Sequence, residues 1–496
     1  MNIKLFYNIG KKSSIIIRMT IILILLLSYI CSYKTIALKI ENYNFDEINS
    51  LKLSNNEIFE GYTLFAPEYS KKTYLINNEG KVVHKWKSNH AQALQVYLLE
   101  NGNLLRADAP GFDLRFIRGG FSGRIEMFNW DGDLLWEFEY ITKDHYIHHG
   151  FKVLPNGNIL LIAALDKTRA EAVAAGCDPN LLRLKLGMDY IIEIQPTPPQ
   201  GANIVWEWYI WDHIIQDFDS TKDNYGVIAE HPELIDINYR SFSEPLFKFF
   251  MFTIDFAHMN SLDYNEEFDQ ILISSRFLNE IWIIDHSTTT AEAAGHSGGR
   301  YGKGGDLLYR WGNPQVYKAG NSSTQVFFGQ HDARWIEEGY PGEGHITVFN
   351  NGWKRPDKKF SSIYEIIPPV DSNGNYYLEP GYSYGPEEPI WLYVAENPTD
   401  FFSGALSSAQ RLPNGNTLVC EGEPGNFFEL NPEKKIIWSY KNLFPFPLPS
   451  TEFNSVPTVD KYPKNYSGIG NLLIDMDTKI TDLKNIKHII NYFLWW

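Results

Sequence analysis

A short unit that recurs along this 496-residue chain constrains its fold more than any other sequence feature. Each copy has a strand-like run, a turn rich in Gly, Asn or Asp, and a second strand-like run that ends in Trp. The clearest copies are TYLINNEGKVVHKW, which ends at Trp86, and IEMFNWDGDLLWEF, which contains Trp136. Looser copies contain Trp206, Trp311, Trp391 and Trp438. Regular recurrence of this kind is typical of a repeat architecture.

A second pattern lies between these copies and consists of two apolar strands around a tight turn. Examples are VYLLENGNLLRA, FKVLPNGNILLIA and QRLPNGNTLVCEG, with LDYNEEFDQILISS and RWIEEGYPGEGHITVFN as variants. An Asn-Gly turn between apolar runs is a strong hairpin signal. Two hairpins make one four-stranded antiparallel blade, so the six units predict an all-β, six-bladed β-propeller.

The repeat also sets the expected domain boundaries. The propeller should span residues 58–445, with long inter-strand insertions near 163–189, 212–250, 287–306 and 370–388. TRAEAVAAG, in the first insertion, predicts a short helix. The first blade lacks a clear inner hairpin. Either GYTLF serves there or the C-terminal tail, residues 446–496, completes the blade and closes the ring.

The N-terminus predicts export. Lys11, Lys12 and Arg18 precede the apolar run TIILILLLSYI, which is shorter than the roughly 20 residues that a membrane-spanning helix needs. Residues 1–37 are therefore expected to form a signal peptide that ends at Ala37, followed by a short segment over 38–57. An uncleaved anchor is the alternative, and it is the only membrane contact expected. Both readings place the protein outside the cytoplasm, in the periplasm or the extracellular space.

Composition excludes several classes of partner and site. The formal net charge is −16 and no basic run interrupts it, so nucleic acid is not an expected partner. Three Cys without CxxC or zinc-like spacing argue against a disulfide framework or a structural zinc site. Cys31 lies in the leader, and the sequence leaves open whether Cys177 and Cys420 pair.

Alignment of the repeats on their turns places three histidines at one register. These are His149 in HHGFKVLPNGN, His258 in HMNSLDY and His331 in HDARWIEEG, and Ser407 in SSAQRLPNGN occupies the same register in a further unit. The first strand of every propeller blade lines the central channel, so equivalent positions should converge at one mouth of the channel. A single histidine is most simply a core residue, but three at one register indicate a site.

The polar residues near these histidines favour anion chemistry. Asn260 shares a strand face with His258, and Arg276 follows 18 residues later. Three imidazoles suit zinc, but a neighbouring guanidinium repels a cation. Arg and Asn donors can hold an oxyanion while an imidazole acts as nucleophile or acid, which suits phosphoryl or sulfuryl transfer. GKGG at 302–305 lacks the spacing of a phosphate loop, so no nucleotide donor and no cofactor are expected.

The chain resembles the bacterial-type arylsulfate sulfotransferases, which do not use the nucleotide sulfate donor PAPS. The resemblance covers roughly residues 58–442 and rests on stretches such as GYTLFAPEYSKKTYLINNEGKVVHKW, DFAHMNSLDYNEEFDQILISSRFLNEIWIIDHSTT, GDLLYRWGNP and FFGQHDARW. It implies a six-bladed periplasmic propeller with a ping-pong mechanism. In that mechanism a histidine takes the sulfuryl group from a phenolic ester, and the sulfohistidine passes it to another phenol.

The resemblance also implies site residues. The nucleophile falls on His331, and the other expected catalytic residues are His258, Asn260, Arg276 and His149, with His148 as the alternative to His149. The family uses hydroxyls from a late blade. Ser407 and Ser408 stand nearest, although Thr would match better. The expected partners are therefore a small phenolic donor and a phenolic acceptor, which the sequence does not name.

Two other readings stay open at this stage. One is an exported, non-catalytic propeller whose axial histidines hold a metal or an acidic glycan, and the other is a different propeller enzyme, such as a quinone-dependent dehydrogenase or a lyase. The best-characterised sulfotransferases of this type carry a β-domain that helps them form dimers, and residues 38–57 are too short for one. A homodimer is therefore neither required nor excluded.

Overall fold

The computed structural model describes residues 51–53, 57–109, 120, 122–142, 144–240, 253–444, 446–447 and 452–469. The expected leader over 1–37, with Cys31, lies outside these residues, as do parts of the 212–250 insertion and of the C-terminal tail. Within the described part of the chain, no helix has the length and apolar character needed to cross a membrane.

Six antiparallel sheets surround a central channel. Within each sheet the strands are ordered from the channel to the outer edge. Blade 1 contains Val459–Pro463, Gly61–Phe65, Lys72–Ile76 and Val82–Lys87. Blade 2 contains Ala91–Leu98, Leu104–Ala109, Arg124–Phe128 and Leu134–Glu139. Blade 3 contains His145–Val153, Ile159–Thr168, Lys185–Pro196 and Ala202–Tyr209, with Thr253–Asp255 added in parallel.

The other three blades repeat this plan. Blade 4 contains Met259–Asn265, Gln270–Ser275, Glu280–Asp285 and Tyr309–Trp311. Blade 5 contains His331–Trp335, Ile346–Asn350, Ser362–Ile366 and Trp391–Tyr393. Blade 6 contains Ser408–Arg411, Thr417–Glu421, Asn426–Leu430, Ile436–Lys441 and, at its outer edge, Leu51–Leu53. The predicted fold class, an all-β six-bladed propeller, is confirmed.

Short secondary-structure elements lie in the insertions and in the C-terminal tail. Two-stranded pairs form between Ile214–Ile215 and Ile235–Asp236, and between Phe446–Pro447 and Glu452–Phe453. The 3-10 helices are Pro179–Leu181, Ile210–His213, Ile228–Glu230, Pro314–Tyr317 and Pro398–Asp400. The α-helices are Arg169–Ala174 and Thr290–Ala293.

The first insertion contains fewer residues than the predicted range 163–189. The predicted helix is present as Arg169–Ala174, and a capping box between Thr168 and Glu171 starts it. The hairpin on either side continues to Thr168 and resumes at Lys185, because the residues first assigned to the insertion still alternate as paired strands. The insertion proper is therefore residues 169–184.

Both ends of the described chain are held in sheets. Val459–Pro463, from the tail, pairs with Gly61–Phe65 and supplies the inner strand of blade 1. GYTLF is thus the second strand of that blade, and the tail provides the strand that the sequence pattern lacked. At the other end, Leu51–Leu53 pairs with the outer strand of blade 6. The ring is closed by strands from both ends of the described chain.

The hydrophobic core lies between neighbouring blades. In blade 4, Ile271 and Ile273 pack towards blade 3, whereas Leu272 packs towards blade 5. Side chains that alternate along a strand point to opposite faces, and both faces of each blade are covered. This arrangement explains why the inner strands are apolar at successive positions.

The repeated tryptophans connect the blades. Each of five outer-strand indoles donates its Nε1–H to a backbone carbonyl of the next blade at 2.7–3.0 Å. The pairs are Trp86 with Asn129, Trp136 with Gly201, Trp208 with Gly305, Trp311 with Pro386 and Trp438 with Asn78. In blade 3 the docking residue is Trp208, whereas the repeat residue Trp206 donates to Thr288 Oγ1 at 3.2 Å. Trp391 Nε1 has no hydrogen-bond partner among the described residues. A buried indole is stabilised when its N–H is satisfied, so most copies of the repeat encode interblade docking.

A ring of side chain–backbone hydrogen bonds joins the inner strand of each blade to the preceding blade. At every junction a side-chain oxygen of one blade accepts an N–H from the inner strand of the next, at 2.7–3.0 Å. The acceptor and donor pairs are Gln95 and Phe151, Asp189 and Met259, Asp263 and Trp335, Asp332 and Ala409, Gln410 and Lys461, and Tyr462 and Leu98. We call this set the axial ring. It fixes the backbone on which the channel side chains stand.

His286 forms a further contact between blades 3 and 4. Its Nδ1 lies 2.7 Å from Asp269 Oδ1 and its Nε2 lies 3.0 Å from Glu193 Oε2. Burial favours the neutral imidazole, but the two carboxylates outweigh burial and raise the pKa of His286 to about 9. His286 is therefore a buried cation at neutral pH.

This cation predicts a specific pH dependence of stability. Because the pKa of His286 is higher in the folded protein than in the unfolded chain, its contribution is complete below about pH 6.5 and is lost as pH rises through 9. We expect the free energy of unfolding of the wild type to fall by roughly 3 kcal/mol more than that of His286→Gln between pH 6 and pH 10. Denaturant titrations at both pH values would measure this difference, and parallel curves would contradict the assignment.

Candidate active site

The central channel contains a cavity of about 270 Å³. All six inner strands contribute to its wall. Residues from the predicted site that line it are His149, Asn260, His331 and Ser407. Of the positions aligned by register, His149, His331 and Ser407 therefore line the cavity. His258 and Arg276 are not among the described residues that line it, although the ring of His258 lies 4.7 Å from that of His149.

Local irregularities of the inner strands aim these side chains. The strand register shifts opposite or beside the histidines of blades 3, 4 and 5. His149 and His258 have φ of 56° and 51°, and Asp332, next to His331, has φ of 55°. Positive φ is uncommon for residues other than glycine, and a bulge re-directs the side chain at that point. The site is thus built on three related bulges.

The protonation of His331 follows from its neighbour Asn351. The Nδ2 group of Asn351 donates to the carbonyls of Ser403 and Leu406 at 2.8 and 3.0 Å, which fixes the orientation of the amide. Asn351 Oδ1 must then accept a hydrogen bond, and it lies 2.7 Å from His331 Nδ1. The proton of a neutral His331 therefore sits on Nδ1, and Nε2 keeps its lone pair.

The surroundings keep His331 neutral. Burial is the largest influence, and the positive charge of Arg276 acts in the same direction. Together they lower the pKa of His331 well below its usual value, although hydrogen bonds to Asn351 and to the Gly329 backbone oppose the change. A buried, neutral imidazole with a free Nε2 lone pair is a nucleophile at neutral pH.

His258 is paired with a buried carboxylate. Its Nδ1 lies 2.6 Å from Asp255 Oδ2, and both side chains are almost fully buried. The imidazole stacks on Phe277, with ring centroids 4.7 Å apart. A carboxylate on Nδ1 holds a proton there and orients the ring, so Nε2 is the atom of His258 that can exchange a proton with a substrate.

His149 belongs to a different pair. Its Nδ1 lies 2.7 Å from Nδ1 of His148, which also lies beside Asp189, with 3.3 Å between Nε2 and Oδ1. The ring of His149 is 4.7 Å from that of His258. Burial and then the neighbouring His258 and His148 lower the pKa of His149 well below its usual value. His149 is thus a neutral hydrogen-bonding group, and the hydrogen bond with His148 fixes the position of its ring.

Arg276 stands over aromatic rings beside the histidines. Its guanidinium carbon lies 4.9 Å from the centre of Trp353 and 5.5 Å from that of Phe277, and Nη2 donates to the Gly404 carbonyl at 3.2 Å. Its Nε makes no hydrogen bond to any described residue. Burial lowers the pKa of Arg276 to about 10, which still leaves it charged at neutral pH. A partly buried cation with an unused donor is suited to a bound oxyanion.

Of the other predicted site residues, Asn260 and Ser407 line the cavity and Ser408 does not. Asn260 Nδ2 donates to the Gln330 carbonyl at 2.7 Å, directly before His331, so it positions the strand that carries His331. Ser407 lines the cavity, and its hydroxyl bonds to Ser403 Oγ and the Gly422 N–H, each at 3.0 Å. The Ser408 hydroxyl instead accepts the Val459 N–H at 3.2 Å, and Ser408 is not among the described residues that line the cavity.

Sequence reasoning overlooked several supporting residues. Asp255 stands three residues before His258, inside the same DFAH motif, and this spacing was the available signal. Asn351 and Trp353 follow a strand of blade 5 in NNGW, and only the folded hairpin places them beside His331 and Arg276. Cys177 and Cys420 are buried free thiols and do not pair.

Fold and site together define a class: a closed propeller whose axial channel holds imidazoles and a guanidinium in an arrangement suited to transfer of an anionic group. Residues 47–454 match the family model for arylsulfotransferase (ASST). This match covers most of the chain, so the chain belongs to the arylsulfotransferase family. The predicted family assignment is confirmed, and the protein is a sulfotransferase of aryl compounds at the level that the family defines.

Known sequences and solved structures resemble the chain only weakly outside this family. Among curated proteins, no sequence matches the chain significantly. A protein of unknown function from Bacteroides caccae is 11% identical over 81% of this chain and 98% of its own, with a TM-score of 0.43. A periplasmic gluconolactonase from Pseudomonas aeruginosa has the same identity and coverage with a TM-score of 0.41. Virginiamycin B lyase from Staphylococcus aureus is 10% identical over 81% and 90%, with a TM-score of 0.35. Likenesses at this level carry no argument about activity.

Proposed function

We propose that this protein moves a sulfuryl group from a phenolic sulfate ester to a second phenol through a sulfohistidine at His331. One observation supports this most strongly: Asn351, whose amide is fixed by two carbonyls, takes the Nδ1–H of His331 and leaves the Nε2 lone pair free. A nucleophile on the protein permits two successive displacements, so donor and acceptor need not bind together.

In the first displacement, His331 Nε2 attacks the sulfur of the ester. The N–S bond forms as the S–O bond to the phenol breaks, and the imidazole ring acquires positive charge. Asn351 Oδ1 stabilises that charge through Nδ1–H. The peripheral sulfuryl oxygens carry negative charge in the loose transition state, and Arg276 supplies the partly buried cation that stabilises them.

The departing phenolate needs a proton or a hydrogen bond. We assign this donor role to His258, because Asp255, 2.6 Å from its Nδ1, orients the ring and leaves Nε2 to exchange the proton. His149 stays neutral and contributes a hydrogen bond. In the second displacement His258 takes the proton of the accepting phenol, the phenol oxygen attacks sulfur, and the N–S bond breaks to restore the lone pair of His331. A phenol with a pKa of about 10 is a poor nucleophile without such a base.

The same mechanism determines which substrates and cofactors we propose. Donor and acceptor are small phenols or their sulfates, and no step requires a cofactor. We further propose that the protein acts after export, in the periplasm or outside the cell, on the strength of the sequence of the leader.

Mixing the enzyme with p-nitrophenyl sulfate and no acceptor tests the proposal. We expect a rapid release of about one nitrophenolate per active site, and a mass increase of about 80 Da for SO3 on the peptide that contains His331. Adding a phenol should discharge the adduct. Turnover that requires both substrates together, with no adduct at any time, would contradict a ping-pong mechanism while leaving sulfotransfer intact.

A further inference from the structure

A second cluster of titratable groups lies away from the channel, where blade 3 meets the long insertion of blade 4. His213 ends the 3-10 helix Ile210–His213, which follows the outer strand of blade 3. His296 and Asp306 belong to the insertion. Nδ1 of His213 and Nδ1 of His296 both lie 2.8 Å from the same oxygen, Asp306 Oδ1. Two ring nitrogens and a carboxylate therefore converge on one point.

The hydrogen bonding of His213 leaves two acceptor atoms facing each other at that point unless a proton or a metal ion lies between them. Its Nε2 lies 2.8 Å from the Ala293 carbonyl, which can only accept, so Nε2 carries a proton. In a neutral ring Nδ1 would then present a lone pair to the Asp306 carboxylate, which is also an acceptor. His213 is completely buried, so no solvent relieves this opposition. Either a second proton or a metal ion must occupy the space.

We propose that a divalent transition metal such as Zn²⁺ binds between His213 Nδ1, His296 Nδ1 and Asp306. Two imidazoles and one carboxylate are a common ligand set for zinc, with water in the fourth position. The Nε2–H of His213 bonded to a backbone carbonyl is the outer contact that metal-bound histidines usually make. The side chain of His296 is 62% exposed, so the metal and its water are accessible from solvent.

The surrounding contacts suit a structural ion. Trp208 stacks on His213 with ring centroids 5.5 Å apart, and its Nε1 donates to the Gly305 carbonyl beside Asp306. A metal here would fasten the glycine-rich loop of blade 4 to blade 3. The cluster contains no cysteine, and its residues lie up to 93 positions apart in the sequence. Cysteine spacing, on which a structural zinc site was judged unlikely, therefore gives no indication of this cluster.

Zinc titration of untagged, EDTA-treated protein tests the site. Calorimetry should show one Zn²⁺ per chain, Co²⁺ should give the visible absorption of a low-coordinate site, and added zinc should raise Tm. His296→Ala, at an exposed position, should weaken zinc binding at least about tenfold. His231→Ala is the matched control, because His231 is also exposed and bonded to a carboxylate, that of Glu233 at 2.9 Å. It should bind zinc as the wild type does.

Three outcomes would overturn the proposal. The first is no saturable zinc binding by the wild type, which would mean that a proton occupies the site. The second is unchanged binding in both His296→Ala and Asp306→Asn. The third is loss of the ion in His331→Asn, which would place the metal among the channel histidines instead.

Discussion

His331→Asn should abolish turnover of p-nitrophenyl sulfate, with a fall in kcat of at least about four orders of magnitude. Asn is shorter than His but retains an N–H that can bond to Asn351, so the fold should survive. It has no nucleophilic nitrogen, because the amide lone pair is delocalised. Neither the burst of nitrophenolate nor the mass increase should appear. Steady-state kinetics, rapid mixing and intact mass spectrometry would each report the loss.

His345→Asn provides the matched control. His345 stands directly before the second strand of the same hairpin and is also partly buried, with its Nδ1 2.7 Å from Glu365 Oε1. It lies outside the channel site, so this variant should retain wild-type turnover. Appreciable turnover in His331→Asn would contradict the mechanism. An adduct that maps to another residue would contradict the choice of nucleophile alone.

Arg276→Ala should lower kcat by about 10²–10³, the usual cost of removing a donor that stabilises developing charge. The effect should fall mainly on kcat, because the negative charge on the sulfuryl oxygens is distributed differently in the transition state from the ground state. Arg276→Lys should recover little activity, since an ammonium lacks the planar fork and cannot stack on Trp353 as a guanidinium does. Kinetic constants and unfolding curves for both variants would test this.

Arg355→Ala is the corresponding control for Arg276. Its guanidinium also stacks on aromatic rings, Phe328 at 5.0 Å and Phe360 at 4.1 Å, and it follows the same blade 5 strand as Trp353. It takes no part in the channel site, so its loss should leave kcat unchanged. Equal effects of the two substitutions would indicate a packing role for Arg276. Wild-type turnover in Arg276→Ala would rule out the anion-stabilising role.

The repeat made the fold predictable because each part of it has a fixed structural task. Asn-Gly turns specify hairpins, and the recurring tryptophans dock neighbouring blades, as Trp86 and Trp438 show. The closure of blade 1 was not predictable, because Val459–Pro463 pairs with a strand almost 400 residues earlier and lacks the turn that marks the other inner strands. Such non-local pairing leaves no periodic signal.

The site was predictable in position but not in protonation. Register alone indicated that His149 and His331 line the channel cavity and that His258 stands near them, with its ring 4.7 Å from that of His149. The tautomer of His331 depends on Asn351, and the orientation of the His258 ring depends on Asp255. These partners are set by bulges and by a hairpin turn, which residue spacing does not encode. Ser408 shows the same limit, since it lies one residue after Ser407 but its hydroxyl serves the strand that closes the ring.

The axial ring has a consequence for how the molecule unfolds. Open arrays of repeats have terminal units with one neighbour, and these fray first or need special capping sequences. Here each inner strand donates an N–H to the blade before it, and each blade supplies an acceptor to the blade after it. The tail strand makes the series of bonds circular. No blade is terminal. We expect the six blades to lose structure in one cooperative transition, so that the histidines on three separate blades keep their mutual geometry until the whole ring opens.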